Sequence, residues 1–347
     1  ATTFGNVGAA PEGAAEWEPW SRNVAFTDEL KLSPTGLTNY LACPRKFYYS
    51  QVLRLSSDAG RAAARGTAFH QALAEFHRPD VEAIWRAHLE RALPTYSEIR
   101  DRHVTSYLDT VDLQFEKRVE RKALDLLFEQ YWTSEFEDPS WPTGPPRTLA
   151  TERRVEWQLT DKLILRGFID RIVELPGGPG TEIVDYKSGR AYGGGAIRGK
   201  LVMPATAGAA PTGEERPTDL QILIYLVAAR EGGVEGLPDV HPEVVGLWYP
   251  KGKPRAAGTS IRKVRILLDD IKVNYPERRD LIEMSSDELD EHKAHIVALA
   301  KEVGDGAFPP LPQHEGYTCL QTWGNFGCEH AWICPGRIEE PEGYDPE

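Results

Sequence analysis

Two carboxylates and a lysine stand at the ends of neighbouring apolar runs. Leu163–Val173 contains Gly167-Phe168-Ile169-Asp170, and fifteen residues on from Asp170 the run Glu182–Lys187 closes with Asp185-Tyr186-Lys187. Both runs read as short strands, and the Pro-Gly-rich stretch 176–180 reads as the turn between them. A hairpin of this form brings Asp170 and Asp185 side by side. Two close carboxylates repel unless a cation sits between them. Hard divalent ions such as Mg²⁺ take oxygen ligands and keep several waters. Lys187, two residues after Asp185, points to the same face of its strand. There its ammonium can hold a metal-bound water or neutralise charge developing on a phosphate.

The elements that must position these groups follow from periodicity. Residues 1–30, rich in Gly, Ala and Glu without a period, read as a tail or arm. Ser33-Pro34-Thr35 opens a helix through Leu37, Tyr40 and Leu41, with Ser33 as cap and Pro34 in the first turn. Arg65–His77 puts Phe69, Leu73 and Phe76 on one stripe and leaves His70 beside it, free to face a site. Val81–Leu93 and Tyr107–Phe136 read as helices by the same test. Arg153–Leu159 alternates as a strand, preceded by Glu152, an acid that either backs the motif carboxylates or is surface charge. Ala191–Pro217 is a Gly- and Pro-rich insertion flanking the expected substrate path. The helix Asp219–Arg230, the strands Val244–Tyr249 and Lys263–Leu268, and the helix Ser286–Val303, capped by Ser286, complete the pattern. Gln221 and Tyr225 lie four apart and share a helix face, a spacing that packing alone also explains.

The chain has four cysteines, Cys43, Cys319, Cys328 and Cys334. The last three sit among Gly, aromatic and polar residues, not on an apolar stripe, which argues for a four-thiolate metal site, zinc or iron–sulfur. Structural zinc sites carry closely spaced Cys pairs. Here the last two intervals hold eight and five residues, and Cys43-Pro44 and Cys334-Pro335 repeat a Cys-Pro step known from cluster motifs, so the spacing favours a cluster. Tyr40, Phe47, Tyr48 and Tyr49 around Cys43 either pack about that site or stack on bases beside Arg45 and Lys46.

Hydrophobic content of 41% in 347 residues is enough for a packed core. The sequence has no run of eighteen apolar residues and no signal-like core at Ala1-Thr2-Thr3-Phe4-Gly5, so it reads as a cytoplasmic chain with no membrane span. A net charge of −13 excludes a protein coated in basic surface. Two local basic groups remain: Arg45, Lys46, Arg54, Arg61 and Arg65, and then Lys251, Lys253, Arg255, Arg262, Lys263 and Arg265.

The motif series resembles the RecB-type branch of the PD-(D/E)xK nuclease superfamily. That pattern is an upstream His, a G-x-I-D strand, a D-Y-K-[ST]-G strand and a Q-x-x-x-Y helix. It is matched in order by Gly66-Thr67-Ala68-Phe69-His70, Gly167–Asp170, Asp185-Tyr186-Lys187-Ser188-Gly189 and Gln221-Ile222-Leu223-Ile224-Tyr225. The resemblance implies an α/β fold with a restriction-endonuclease-like core, a mixed central sheet flanked by helices, in one domain over residues 31–347. It implies that His70, Asp170, Asp185 and the Tyr186 carbonyl hold Mg²⁺ or Mn²⁺. Asp170, Asp185, Lys187, Gln221 and Tyr225 would be the catalytic set, with Gln221 and Tyr225 lining the site and contacting DNA.

A subset of RecB-type nucleases, including those of the AddB type and the CRISPR adaptation nucleases, carries one Cys before the core and three after it, jointly binding a [4Fe–4S] cluster. The resemblance implies that role for Cys43, Cys319, Cys328 and Cys334. The cluster lobe would be residues 31–60 and 305–337, joining the two ends around 61–304. The gap from Cys319 to Cys328 is wider than the two residues usual in the family. The implied function is metal-dependent hydrolysis of DNA phosphodiesters, as an exonuclease acting on ends or single strands. One alternative is the nuclease module of a helicase–nuclease repair complex, with a helicase or other DNA-processing protein as partner. No G-x-x-x-x-G-K-[ST] is present, so the chain is not itself the motor. The other is a non-catalytic scaffold on DNA ends, against which the intact Asp-Asp-Lys set stands.

Overall fold

The computed structural model describes residues 29–55, 60–136, 145–175, 180–189, 220–249, 262–268 and 281–306, with Phe308 and His330. Cys319, Cys328, Cys334, the insertion 191–217, Lys251, Lys253, Arg255 and nearly all of the expected tail lie outside these residues. No described helix is long and apolar enough to cross a membrane.

Seven strands form one mixed sheet, β1 (Leu30–Leu32), β2 (Thr148–Thr160), β3 (Leu163–Glu174), β4 (Thr181–Tyr186), β5 (Val244–Tyr249), β6 (Arg262–Leu268) and β7 (Leu281–Met284). The order along the sheet is β1-β3-β4-β5-β6-β7, with β2 on the other edge of β3. The pairs β1–β3, β4–β5 and β6–β7 are parallel, and β2–β3, β3–β4 and β5–β6 are antiparallel. One face is covered by α1 (Pro34–Ala42), α7 (Gln221–Arg230) and α8 (Ser286–Gly304), where Leu37, Tyr40, Leu226, Ile296 and Val303 pack on Ile172 and Ile183. The other is covered by α3 (Arg61–Phe76), α5 (Ala92–Asp109) and α6 (Gln114–Phe136), where Phe69, Phe76, Tyr96 and Phe128 meet Val173, Val184 and Trp248. Between them come α2 (Pro44–Phe47), a π turn at Tyr48–Val52 and α4 (Pro79–Ala87). This is the mixed α/β architecture the sequence implies.

Most expected elements recur, with three corrections. The expected helices Val81–Leu93 and Tyr107–Phe136 are replaced by α4, α5 and α6. Pro94 lies in the first turn of α5, where its missing N–H costs nothing, so a helix begins there instead of ending at Leu93. The Thr110 hydroxyl bonds back to the Tyr107 carbonyl at 2.7 Å as α5 closes. The cap of α8 is Ser285, not Ser286. Its hydroxyl accepts from the Glu288 N–H while Glu288 reaches back to the Ser285 N–H, a complete capping box. Strands β1 and β7 have no counterpart in the sequence pattern, since three or four residues carry too little alternation to be read.

Where β3 changes partner decides where a site can form. β2 pairs along β3 from Leu163 to Val173. The opposite edge pairs with β1 at Leu163–Leu165 and with β4 from Arg171 to Glu174, and the stretch between has no strand partner on that edge among the described residues. β4 leaves β3 just past the Arg171–Val184 pair and follows β5, with Asp185 opposite Leu247 and Tyr186 opposite Trp248. The two strands thus part beside Asp170 and Asp185.

Gly167 lies in that unpaired stretch because α7 crosses it closely. A Cβ there would stand 2.6 Å from the Tyr225 ring and 3.3 Å from Pro34. We predict that Gly167→Ala costs roughly 1–3 kcal/mol by overpacking and that Tyr225 moves away from the strand. Thermal melting checks the first. An unshifted melting temperature would mean that the ring yields at no cost.

Candidate active site

The splay opens a groove of about 1000 Å³ whose walls are α3 and the start of the segment after β4. Gly66, Thr67, His70 and Gln71 line one side, and Lys187, Ser188 and Gly189 line the other. Gly66 lets the walls meet, since a Cβ at that position would lie 3.1 Å from Ser188 Oγ. The Gly of the first motif and the Ser of the third are therefore packed against each other.

His70, half-buried on α3, places Nδ1 at 3.2 Å from Asp170 Oδ1. The other Asp170 oxygen accepts the Tyr186 N–H at 2.7 Å. This hydrogen bond takes over from the backbone ladder where β3 and β4 separate. Lys187 Nζ lies 2.8 Å from the buried Asp185 Oδ2. Lys187 also donates to Gln221 Oε1 at 2.7 Å, and Gln221 Nε2 donates to Tyr225 Oη at 3.0 Å. The i, i+4 pair on α7 therefore forms a relay of hydrogen bonds ending on the lysine. The geometry joins His70, Asp170, Asp185, Tyr186, Lys187, Gln221 and Tyr225 in one place.

Glu152 completes the site. Potential ligand atoms of His70, Glu152 and Asp170 all lie within 4.8 Å of one another. Glu152 has φ of 47°, a left-handed conformation uncommon for a side-chain-bearing residue. It falls between the pairs Thr151–Arg171 and Arg153–Ile169, opposite Asp170. Along β3, Leu163, Leu165 and Ile169 face the α1–α7–α8 layer. Ile172 faces it too, while Val173 faces the other layer. The alternation slips by one residue at Asp170, and the left-handed Glu152 is the matching irregularity on β2. Sequence patterning places Glu152 at the head of a strand but gives neither the register nor the left-handed turn that sets this exposed residue beside Asp170.

The chain's own cations offset part of the charge in the site. Burial disfavours the His70 imidazolium, but the hydrogen bond and charge of Asp170, with Asp185 and Glu152 behind it, outweigh burial and raise its hold on a proton. Burial pushes the Asp185 carboxyl up, Lys187 opposes this and Asp170 adds to it, and the net is upward. Glu152 is pushed up to about 7, by burial of its carboxylate first and by Asp170 next. One imidazole nitrogen and three carboxylates suit a divalent ion of the Mg²⁺ or Mn²⁺ kind, the nitrogen favouring Mn²⁺ of the two.

Among the described residues of the two basic groups, four are paired or buried. Arg61 pairs with Glu116 at 2.6 Å, Arg65 with Glu120 at 3.0 Å and Arg265 with Glu182 at 2.7 Å. Arg45 is buried.

Comparison with known proteins gives the family. The family model of the PD-(D/E)XK nuclease superfamily matches residues 31–335. The chain is 28% identical over 284 residues to a subunit of an ATP-dependent helicase/deoxyribonuclease from Symbiobacterium thermophilum, an alignment covering 71% of this chain and 22% of that protein. The chain thus spans about a fifth of that relative's length.

The raised carboxyls fix the sign of a pH effect. Folded Glu152 and Asp185 hold protons that the unfolded chain releases, so the metal-free protein loses stability as pH rises through their folded values. A bound divalent ion must displace the same protons. We predict that Mn²⁺ affinity falls from about pH 8 to about pH 5.5, with more protons released per ion at the acid end. Glu152→Gln should flatten the part of this response near neutrality. Calorimetry in buffers of different ionisation enthalpy reads both quantities, and a pH-independent affinity would place the ion elsewhere.

Proposed function

We propose that this chain, which belongs to the PD-(D/E)XK nuclease superfamily, is a Mg²⁺- or Mn²⁺-dependent deoxyribonuclease. The observation that carries this reading is the grouping of His70, Glu152 and Asp170, whose potential ligand atoms lie within 4.8 Å of one another, beside the Asp185–Lys187 pair. His70, Asp170 and Asp185 would hold the ion, with Glu152 and the Tyr186 carbonyl completing the set. A divalent ion held there supplies Lewis acidity towards a phosphodiester and lowers the pKa of a water. Lys187, fixed between Asp185 and Gln221, stands where it can position that water or offset charge on the phosphate. Tyr225 and Gln221 set the lysine's direction and line the substrate path. DNA is preferred as substrate because the relative is named for a helicase/deoxyribonuclease, and that name also favours work beside a helicase. Cleavage at ends or on single strands is the mode we favour.

We further propose a [4Fe–4S] cluster on Cys43, Cys319, Cys328 and Cys334. Cys43 is buried at the junction of α1 and α2. Phe308 stacks on Phe47 with centroids 5.8 Å apart, and His330, which stands between Cys328 and Cys334 in sequence, packs on Tyr49 at 5.3 Å. Both described residues of the C-terminal segment therefore meet the Cys43 region. Two residues on from Cys43, Arg45 is 3% exposed, and its Nε and Nη2 have no hydrogen-bond partner among the described residues. A buried cation of this kind calls for an anion. Four thiolates around iron carry net negative charge, which fits. The aromatics of this region pack on one another, which favours the packing role over base stacking. When bound, the cluster would tie the two ends of the chain together.

Asp185→Ala should lower Mn²⁺-dependent cleavage by about a thousandfold or more while DNA binding persists, and Lys187→Ala should slow cleavage with Mn²⁺ affinity retained. Wild-type-like cleavage by a clean Asp185→Ala preparation would remove the mechanism. Loss of metal affinity in Lys187→Ala would give the lysine a structural role instead.

Protein prepared without oxygen should be brown with about four irons per chain, and Cys43→Ser should bleach it and lower its melting temperature. A colourless protein with one zinc would replace the cluster by a zinc staple.

A further inference from the structure

A buried polar cluster adjoins the site, and the chemistry just described does not use it. Its centre is Arg171, fully buried and next in sequence to Asp170. Arg171 Nη1 donates to Glu135 Oε1 at 2.8 Å and to Tyr186 Oη at 3.2 Å. Nε donates to Thr148 Oγ1 at 2.8 Å, and Nη2 donates to the Pro146 carbonyl at 2.9 Å. Glu82, from α4, faces the same point. Its Oε1 accepts from the Thr148 N–H at 2.8 Å and from Arg86 Nε at 2.6 Å, and its Oε2 lies 3.1 Å from His77 Nδ1 and 3.9 Å from Arg171 Nη2. His77 Nε2 meets the Tyr131 hydroxyl. Burial first, and then the charge of Arg171, draw the His77 pKa down to about 4. A carboxylate only accepts, so the neutral ring carries its proton on Nδ1 and accepts from Tyr131 on Nε2.

The members of this cluster stand on the elements that carry the site. Arg171 follows Asp170 on β3. Tyr186 follows Asp185 on β4, and its ring stands edge-on to the His70 imidazole with centroids 6.2 Å apart. His77 closes α3 two turns after His70, on the same side of that helix. One guanidinium is thus linked to each of the three elements, directly to β3 and β4 and through Glu82 to α3.

The β3–β4 backbone ladder ends at the Arg171–Val184 pair; beyond it β4 stays paired with β5 and β3 with β2, and the direct links between β3 and β4 are made through side chains. The Arg171–Tyr186 bond crosses from one strand to the other where that ladder ends. The Tyr186 N–H to Asp170 bond is one residue further on. We infer that Arg171, held by Glu135 and Glu82 and bonded to Tyr186, is a positioning residue that sets the spacing of His70, Asp170 and Asp185 and so the affinity of the site for its ion. This rests on the metal-nuclease reading above.

The test uses the full chain and reads metal directly as well as through cleavage. In Glu135→Gln and Arg171→Lys, Mn²⁺ affinity by calorimetry should fall about tenfold, the usual scale for losing a group that orients a metal ligand. The Mn²⁺ concentration for half-maximal cleavage should rise to match, and the rate should recover when Mn²⁺ is raised. Tyr186→Phe, which keeps the ring and removes only the hydroxyl, should show the same loss of affinity. Circular dichroism and melting temperature report the folded fraction, and if Arg171→Lys does not fold, the other two variants carry the test. Unchanged Mn²⁺ affinity alongside a lowered melting temperature would mean that the cluster serves only the fold. A rate that stays low at saturating Mn²⁺ with unchanged affinity would put the defect in the chemical step. Either result overturns the inference. Cleavage by the wild-type chain without any divalent ion would instead remove the metal-nuclease reading, and the inference with it.

Discussion

Asp170, Asp185 and Glu152 repel one another, and the surrounding structure is arranged to contain that repulsion. At about 4 Å, like charges near a protein surface cost roughly 4 kcal/mol per pair. Asp185 is buried as well, which deprives it of water. The chain answers with Lys187 at 2.8 Å from Asp185, the His70 ring at 3.2 Å from Asp170, and the Tyr186 N–H on the remaining Asp170 oxygen. None of these matches the charge density of a divalent ion. The upward shifts at Asp185 and Glu152 show what remains unbalanced, and protons or a metal ion compete to supply it.

Holding repelling groups together needs a frame that does not relax. Two irregularities provide the shape. The β3–β4 ladder ends beside the carboxylates while β4 stays paired with β5, and the alternation of β3 slips at Asp170 opposite the left-handed Glu152. A residue in that conformation costs roughly 1–3 kcal/mol, sustained only where the surroundings over-determine it. Here β2 pairs with β3 on both sides of Glu152. The helical layers supply rigidity on either side. Tyr225 closes over Gly167 from one face, and Arg171, Glu135 and Glu82 lock the other.

The motif residues are legible in the sequence because each sits within or just after an apolar run or at a helix spacing that periodicity reveals. His70 beside an apolar stripe, the two aspartates after apolar runs and the Gln221–Tyr225 pair all meet in the structure as that reading requires. The sequence leaves Glu152 between support and surface charge, since its role depends on strand register and on a positive φ that no pattern of apolar residues encodes. Arg171, Glu82 and Glu135 are invisible there for a related reason. They are charged residues in the interior, and a sequence reading assigns charge to the surface unless a partner is known. The basic groups err the opposite way. Arg61, Arg65 and Arg265 read as free positive charge, but each has a carboxylate partner contributed by a distant part of the chain. Composition shows how many charges there are, and only the fold shows which are already neutralised.

That neutralisation bears on how an acidic chain engages a polyanion. The net charge is −13, and three of the expected arginines are spent on internal pairs. Around Asp170 three carboxylates, those of Asp170, Glu152 and the buried Asp185, stand against Lys187 and His70, while Arg78, His103 and Glu75 line the groove further out. On the proposed reading, a phosphodiester entering that groove meets net negative charge until a divalent ion is in place, and the ion reverses the sign at the point where the phosphate must sit. Metal and nucleic acid then assist each other's binding, and the coupling is reciprocal by linkage. On that reading the scissile phosphate is seated at the carboxylates only when the ion is present, while DNA held outside the groove does not depend on it. The same carboxylates that create the repulsion would thus serve as both ligand set and gate.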